Sequence, residues 1–216
     1  MDKKIMVLLL AISLFFCSFA CSLKSASREE IANITNRGIE YFKLGQNDKA
    51  IAEYSKAIRL NPNFAEPYYN RGIIYGNRRD WYRAISDNSK AIKLNPNIAL
   101  AYANRATAYQ HVGKYKQALF DINKSIALGL NDAEAYYGRG LIYAKQGEYL
   151  QAICDFNLST MLSPNYAKAY YNRGVVYFKR GSFEAAWADV HKAEALGNKS
   201  DPNFLRDLKK ASGKEE

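Results

Sequence analysis

Histidine and cysteine are nearly absent from this chain of 216 residues, which has two of the first and three of the second. His111 and His191 stand 80 residues apart, and neither has a second ligand type at metal-binding spacing. No phosphate-binding glycine loop, nucleophile elbow or zinc signature occurs, so no cofactor, no metal and no catalytic residue is implied. Cys17 and Cys21 fall at the start, which leaves Cys154 alone in the remainder and rules out an intramolecular disulfide there. Stability must come from packing. Material for that is ample, since 48% of residues are hydrophobic and 13% aromatic, and this composition excludes disorder for most of the chain.

Long apolar runs are also lacking, with one exception. Lys3 and Lys4 precede an uncharged stretch from Ile5 to Ala20, which as a helix would span roughly 24 Å against a hydrocarbon core of about 30 Å. That is short for a permanent span and suits an export signal over 1–21. Small residues in Ser18-Phe19-Ala20-Cys21 suit signal-peptidase cleavage. Ordinary cleavage is one route; the Ala-Cys junction also resembles the bacterial lipoprotein type, which implies lipidation of Cys21 and a membrane anchor there. Ser18 stands where that pattern usually has an aliphatic residue. The net charge of +10 falls by only one when Asp2, Lys3 and Lys4 are removed with the signal. Basic residues follow the repeat described next rather than forming a run, which reads as a solvated outer face; with export, it argues against nucleic acid.

Asn36-Arg37-Gly38, Asn70-Arg71-Gly72, Asn104-Arg105-Ala106, Gly138-Arg139-Gly140 and Asn172-Arg173-Gly174 recur every 34 residues without insertion or deletion. The repeats run 31–64, 65–98, 99–132, 133–166 and 167–200, after a short linker and N-cap over 22–30. Counting from the first residue of each, position 8 is small and position 20 is always alanine, while positions 4, 11, 17 and 24 are mostly large. Small residues at 8 and 20 let two helices approach closely, and the large ones fill the remaining space. Gly45, Gly113, Gly147 and Gly181 mark a turn inside each unit, with Arg79 the exception; Pro62, Pro96, Pro164, Gly129 and Gly197 end the units. Ser27 with Glu30 forms a capping-box pattern, and Asp201-Pro202 opens a final helix whose Phe204, Leu205 and Leu208 can close the last hairpin. Residues 201–216 are thus a capping helix and a tail, too polar to pack from Ser212 on.

This pattern of aromatic, glycine, tyrosine, alanine and proline resembles the tetratricopeptide repeat family from about Ile31 to Ser200. The resemblance implies an all-α fold, an α-solenoid with a right-handed superhelix of five helix-turn-helix repeats and a C-terminal capping helix. Arginine stands at position 7, where the family usually has leucine, in all five repeats, and position 23 is always acidic. In a hairpin turning near position 15, positions 7 and 23 lie at one height. The expected ion pairs are Arg37 with Glu53, Arg71 with Asp87, Arg105 with Asp121, Arg139 with Asp155, and Arg173 with Asp189.

Position 6 lies about 200° around the helix from position 4, away from the hairpin core. Asn36, Asn70, Asn104 and Asn172 occupy it, and Gly138 interrupts them. An amide both donates and accepts, so a column of them can read an extended peptide backbone without regard to side chains. In this the chain resembles the asparagine ladder of O-linked N-acetylglucosamine transferase, without that enzyme's catalytic part. Tyr69, Tyr137 and Tyr171 at position 5 share the expected concave face, either as contact surface or half covered by the next repeat. The set of Lys and Asn residues with which some family members clamp a chaperone's terminal carboxylate does not occur in any three consecutive repeats. The expectation is a non-enzymatic, exported adaptor of the bacterial cell envelope or periplasm, gripping a peptide segment of another protein. One alternative is an accessory subunit of an envelope enzyme or of a secretion or pilus assembly system; another is an enzyme or carrier subunit whose repeats position a chemical group such as the Cys154 thiol.

Overall fold

Each hairpin folds back at a residue that can hold a left-handed backbone. Gly45, Gly113, Gly147 and Gly181 take φ of 71°, 76°, 83° and 74°, and Arg79 adopts φ of 60° in the one repeat without a glycine there. The arginine closes the turn in the glycine conformation; its backbone N–H donates to the Gly76 carbonyl at 2.9 Å.

The computed structural model describes residues 27–213. The export segment, Cys21 and the last three residues lie outside the described residues. Eleven α-helices and no strand make up what is described: α1 (Arg28–Lys43), α2 (Asn47–Leu60), α3 (Ala65–Asn77), α4 (Trp81–Leu94), α5 (Ala99–His111), α6 (Tyr115–Ala127), α7 (Ala133–Gln146), α8 (Tyr149–Leu162), α9 (Ala167–Lys179), α10 (Phe183–Ala195) and α11 (Pro202–Ser212). The expected all-α solenoid of helical hairpins is what the chain forms. It divides into two compact units, one ending at Pro67 and one beginning at Tyr68.

In the first unit, α1 packs against α2 as a hairpin. Helix α1 starts at Arg28, so three residues expected in the linker are already helical, and Ser27 caps it by accepting from the Glu30 amide at 3.0 Å. In the second unit the hairpins α5–α6, α7–α8 and α9–α10 stack in sequence, and α11 lies against α10. The alanine column is the closest approach: Ala84, Ala118, Ala152 and Ala186 are fully buried.

Position 8 responds to position 24 opposite it. A Cβ on Gly140 would lie 2.8 Å from the Phe156 ring, and one on Gly38 would lie 2.5 Å from the Tyr54 ring. Repeat three carries Ala106 at this position, against the narrower Ile122, and both are buried in one cluster. Repeats join through positions 3 and 10: Ala135 and Ile142 of α7 are buried with Ala118 and Ile122 of α6, and Val176 of α9 is buried with Phe156 of α8. The same two positions in α1 are Asn33 and Glu40, both exposed, so that face of the first hairpin is solvated rather than apolar.

The far end is closed as expected. Asp201 caps α11 by accepting from the Asn203 amide at 2.9 Å, Leu208 is fully buried with Ala186 and Val190, and the Phe204 ring meets Tyr171 and Phe178 edge-on. One expectation is corrected. Ser212 is still helical, and its hydroxyl accepts the Trp187 indole N–H at 3.1 Å, so the packed cap extends one residue into the supposed tail.

Candidate functional site

The recurring spacing of 16 residues between positions 7 and 23 brings a guanidinium onto a carboxylate in every hairpin. Arg71 Nε and Nη2 donate to Asp87 at 2.7 and 2.9 Å, Arg105 to Asp121 at 2.7 and 2.8 Å, and Arg139 to Asp155 at 2.7 Å twice. Arg173 holds Asp189 in the same two-pronged way, at 2.7 and 2.6 Å. This fork-to-fork geometry is the strongest a protein ion pair offers. In the first unit Arg37 reaches Glu53 through a single contact of 2.7 Å, with 48% of its side chain exposed against 15% for Arg105.

Two further kinds of partner, a polar side chain of the preceding repeat and tyrosines of its own helix, meet Arg105, Arg139 and Arg173. Arg105, Arg139 and Arg173 turn their remaining Nη1 to Ser89, Asn123 and Asn157, which stand at position 25 of the preceding repeat. Tyrosines at positions 4 and 11 lie one turn before and one turn after, so Tyr102 and Tyr109 both face the Arg105 guanidinium at 5.7 Å. Tyr170 and Tyr177 sandwich Arg173 at 5.3 and 6.0 Å. The bond from the paired aspartate raises the pKa of Arg71, Arg139 and Arg173 further; for Arg105, burial pulls downward but the bond and charge of Asp121 outweigh it. The Nε–Nη2 fork with which each of these arginines would grip a ligand anion is already on an aspartate.

The amide column behaves differently. Asn36 is exposed in the first unit. In the second, Asn104 is half-buried, and Asn70 holds a buried Nδ2 with no hydrogen-bond partner. Asn172 is already engaged, donating to the Tyr137 hydroxyl at 3.1 Å and to the Lys168 carbonyl at 2.9 Å. Where Gly138 interrupts the column, an added Cβ would meet nothing within 4 Å. Gly138 therefore leaves room at that point on the face.

Tyr69, Tyr137 and Tyr171 are half-buried. Tyr137 meets Tyr166 edge-on at 5.1 Å and Phe156 at 5.9 Å, while Tyr171 packs on Phe204 of the capping helix. Burial raises the pKa of Tyr69 and Tyr137. Tyr137 and Tyr171 are thus partly committed to joining one element to the next. Between them, half-buried Ile73, Leu141 and Val175 and exposed Thr107 complete a mixed apolar and amide surface along the first helices.

His111 stacks flat on Trp81, with ring centroids 4.0 Å apart and planes 5° from parallel. Burial and then the Arg79 charge lower its pKa. His191 lies against Trp187 on a second helix. No group of three or more potential metal ligands occurs among the described residues, and none of their helices is long and apolar enough to cross a membrane.

Family models described as TPR repeat match residues 38–77 and 142–181, and models described as tetratricopeptide repeat match 65–98 and 89–120. No curated protein matches the chain. Among solved structures, MamA is similar at 28% identity with a TM-score of 0.68, over 74% of this chain and 94% of that one. YrrB, described as a TPR protein with an unusual peptide-binding site, shares the fold at 24% identity and a TM-score of 0.68, over 83% of this chain and 90% of its own. PilW, described as a widely conserved type IV pilus biogenesis factor, shares the fold at 19% identity and a TM-score of 0.75, over 88% and 89%.

Proposed function

We propose that this chain, which belongs to the tetratricopeptide repeat family, is a non-enzymatic scaffold that holds an extended segment of another protein along the position-6 amide column. The single observation that carries this reading is the contrast between the two repeated polar columns. Every position-7 arginine of the second unit is forked onto an aspartate within the chain, whereas the Asn70 Nδ2 has no partner and Asn104 is half-buried on the same column. Polar side chains that a fold leaves unpaired beside apolar neighbours suit a backbone that supplies both a carbonyl and an N–H. Asn172 needs only to exchange its bond to Tyr137 to join them. The envelope address rests on the sequence before Cys21: the short apolar segment with two lysines supports export, and the Ala-Cys junction supports a lipid anchor. With that anchor, residues 22–27 reach about 20 Å when extended, so the partner works close to the membrane.

Co-purification from the envelope tests this. The Asn70→Ala/Asn104→Ala variant should lose the partner that the natural chain retains, while its thermal melting stays unchanged. Gly138→Asn, at a position where an added Cβ meets nothing within 4 Å, should keep that partner. A double variant that still retains every partner contradicts the reading.

A further inference from the structure

Helix α8 is the one second helix whose outer face carries no charge. Position 26 is lysine in the other four repeats, as Lys56, Lys90, Lys124 and Lys192, and here it is Leu158. Position 29 is Arg59 or Lys93 in the first two repeats and Met161 here; position 18 is Asp48, Lys116 or Glu184 in three others and Leu150 here. The sole charged residue of α8, Asp155, is buried and held by Arg139. The replacements are exposed: Leu150 by 61%, Leu158 by 39%, Met161 by 75% and Leu162 by 53%, with Cys154 exposed between the first two. Nothing in the solenoid requires this, because the hairpin core and the joint to α9 use Ala152, Ile153 and Phe156 on the opposite side.

We infer that this face is a self-association surface on which a second copy of the chain packs α8 against α8. Three features select a second copy. Leu150, Cys154, Leu158 and Leu162 stand at successive i+4 steps and form one unbroken ridge. Two ridges of that kind interdigitate when their helices cross at about −50°. A two-fold axis through the crossing makes the surface its own complement, and the contact closes without forming a fibre. With Phe120, 68% exposed at the Cys154 position of the preceding repeat, these side chains present on the order of 500 Å² of apolar surface, so a symmetric pair that covers all of it reaches about 1,000 Å², the least that a specific interface needs. The chemistry of the ridge, with no charged side chain exposed on α8, also excludes an ionic partner. The inference concerns the outer face and does not depend on what the amide column binds.

The test uses the full chain purified in a mild non-ionic detergent, with Cys17→Ser and Cys21→Ser leaving Cys154 as its one thiol. Sedimentation equilibrium should give twice the chain mass, and mild oxidation should yield a disulfide-linked pair through Cys154. Met161→Lys and Leu150→Lys change exposed positions, so circular dichroism and melting should be unaltered. Each should weaken the pair by about tenfold or more, because two lysines enter one apolar contact. A chain that stays monomeric at about 100 µM, or a pair that survives both lysine substitutions, overturns the inference. So does a monomer that binds lipid vesicles of anionic composition through this face, which would make it a membrane-contact surface instead.

Discussion

Replacing Arg105 by leucine while leaving Asp121 in place isolates what the repeated ion pair contributes. Asp121 is 1% exposed and accepts two bonds from Arg105, at 2.7 and 2.8 Å. Leucine returns neither, and the carboxylate remains buried as a charge without a counter-charge. Breaking a buried pair in this way costs about 3–5 kcal/mol, and a chain of this size loses about 2–4 °C of Tm for each. The expected fall is therefore roughly 10 °C. Arg105 also holds Ser89 of the preceding repeat at 3.0 Å, so hydrogen-exchange protection should drop in α4 as well as in α5 and α6. Two controls give the result its meaning. Arg37→Leu removes an exposed single-contact pair and should cost less than about 1 kcal/mol. Arg105→Leu/Asp121→Leu removes both charges and should recover most of the loss, because no unpaired charge stays buried. Equal losses for Arg37→Leu and Arg105→Leu, or no recovery in the double variant, would refute the reasoning.

Asn88 sits fully buried at position 24, where the other repeats have Tyr54, Ile122, Phe156 and Val190, and its Oδ1 has no partner. Asn88→Leu should therefore raise the melting temperature, by about 1–2 kcal/mol of stability. Gly140→Ala places a Cβ 2.8 Å from the Phe156 ring and should cost about 1–3 kcal/mol in denaturant unfolding. Adding Phe156→Ile should relieve it, since Ala106 and Ile122 already form that combination in repeat three. Alkaline pH gives a further check: burial, with smaller contributions from nearby charges, pushes Tyr54 and Tyr166 from 10.0 up to about 12. The folded chain keeps these protons where the unfolded chain has lost them. Stability should be full below pH 10 and decline as pH rises toward 12, with tyrosinate absorbance following the unfolding transition; Tyr54→Phe should shallow that decline.

The hairpins are legible in the sequence because two helices in contact leave no freedom at positions 8 and 20, and five copies expose the constraint as columns. The ion pairs are legible for a similar reason: a turn near position 15 fixes which heights meet, and the distances from Arg71 to Asp87 through Arg173 to Asp189 follow. Contacts between repeats are not legible in the same way. Ser89, Asn123 and Asn157 reach the next repeat's arginine only because of how one hairpin rests on another, which no spacing within a repeat encodes. The tyrosines at positions 4 and 11 could have been found, since i−3 and i+4 flank an arginine on any helix. On the amide face the sequence shows four equivalent asparagines and one gap at Gly138, whereas the fold distinguishes the four. Asn172 donates to Tyr137, at position 5 one repeat earlier, whereas Asn104 stands half-buried with Tyr69 in the same relation and Asn36 is exposed. The uncharged ridge of α8 is visible in the column of lysines at position 26, and only its exposure requires the fold.

The central claim, that the amide face of the first helices is where another protein is held, is tested most directly by photo-crosslinking in intact cells. A photoreactive residue at Thr107, exposed beside Asn104, is compared with one at Lys116 on the outer helix of the same hairpin. The account predicts a discrete adduct from position 107, absent from position 116 and lost when Asn70 and Asn104 are replaced by alanine. No adduct at 107, or one that persists without the two asparagines, contradicts it.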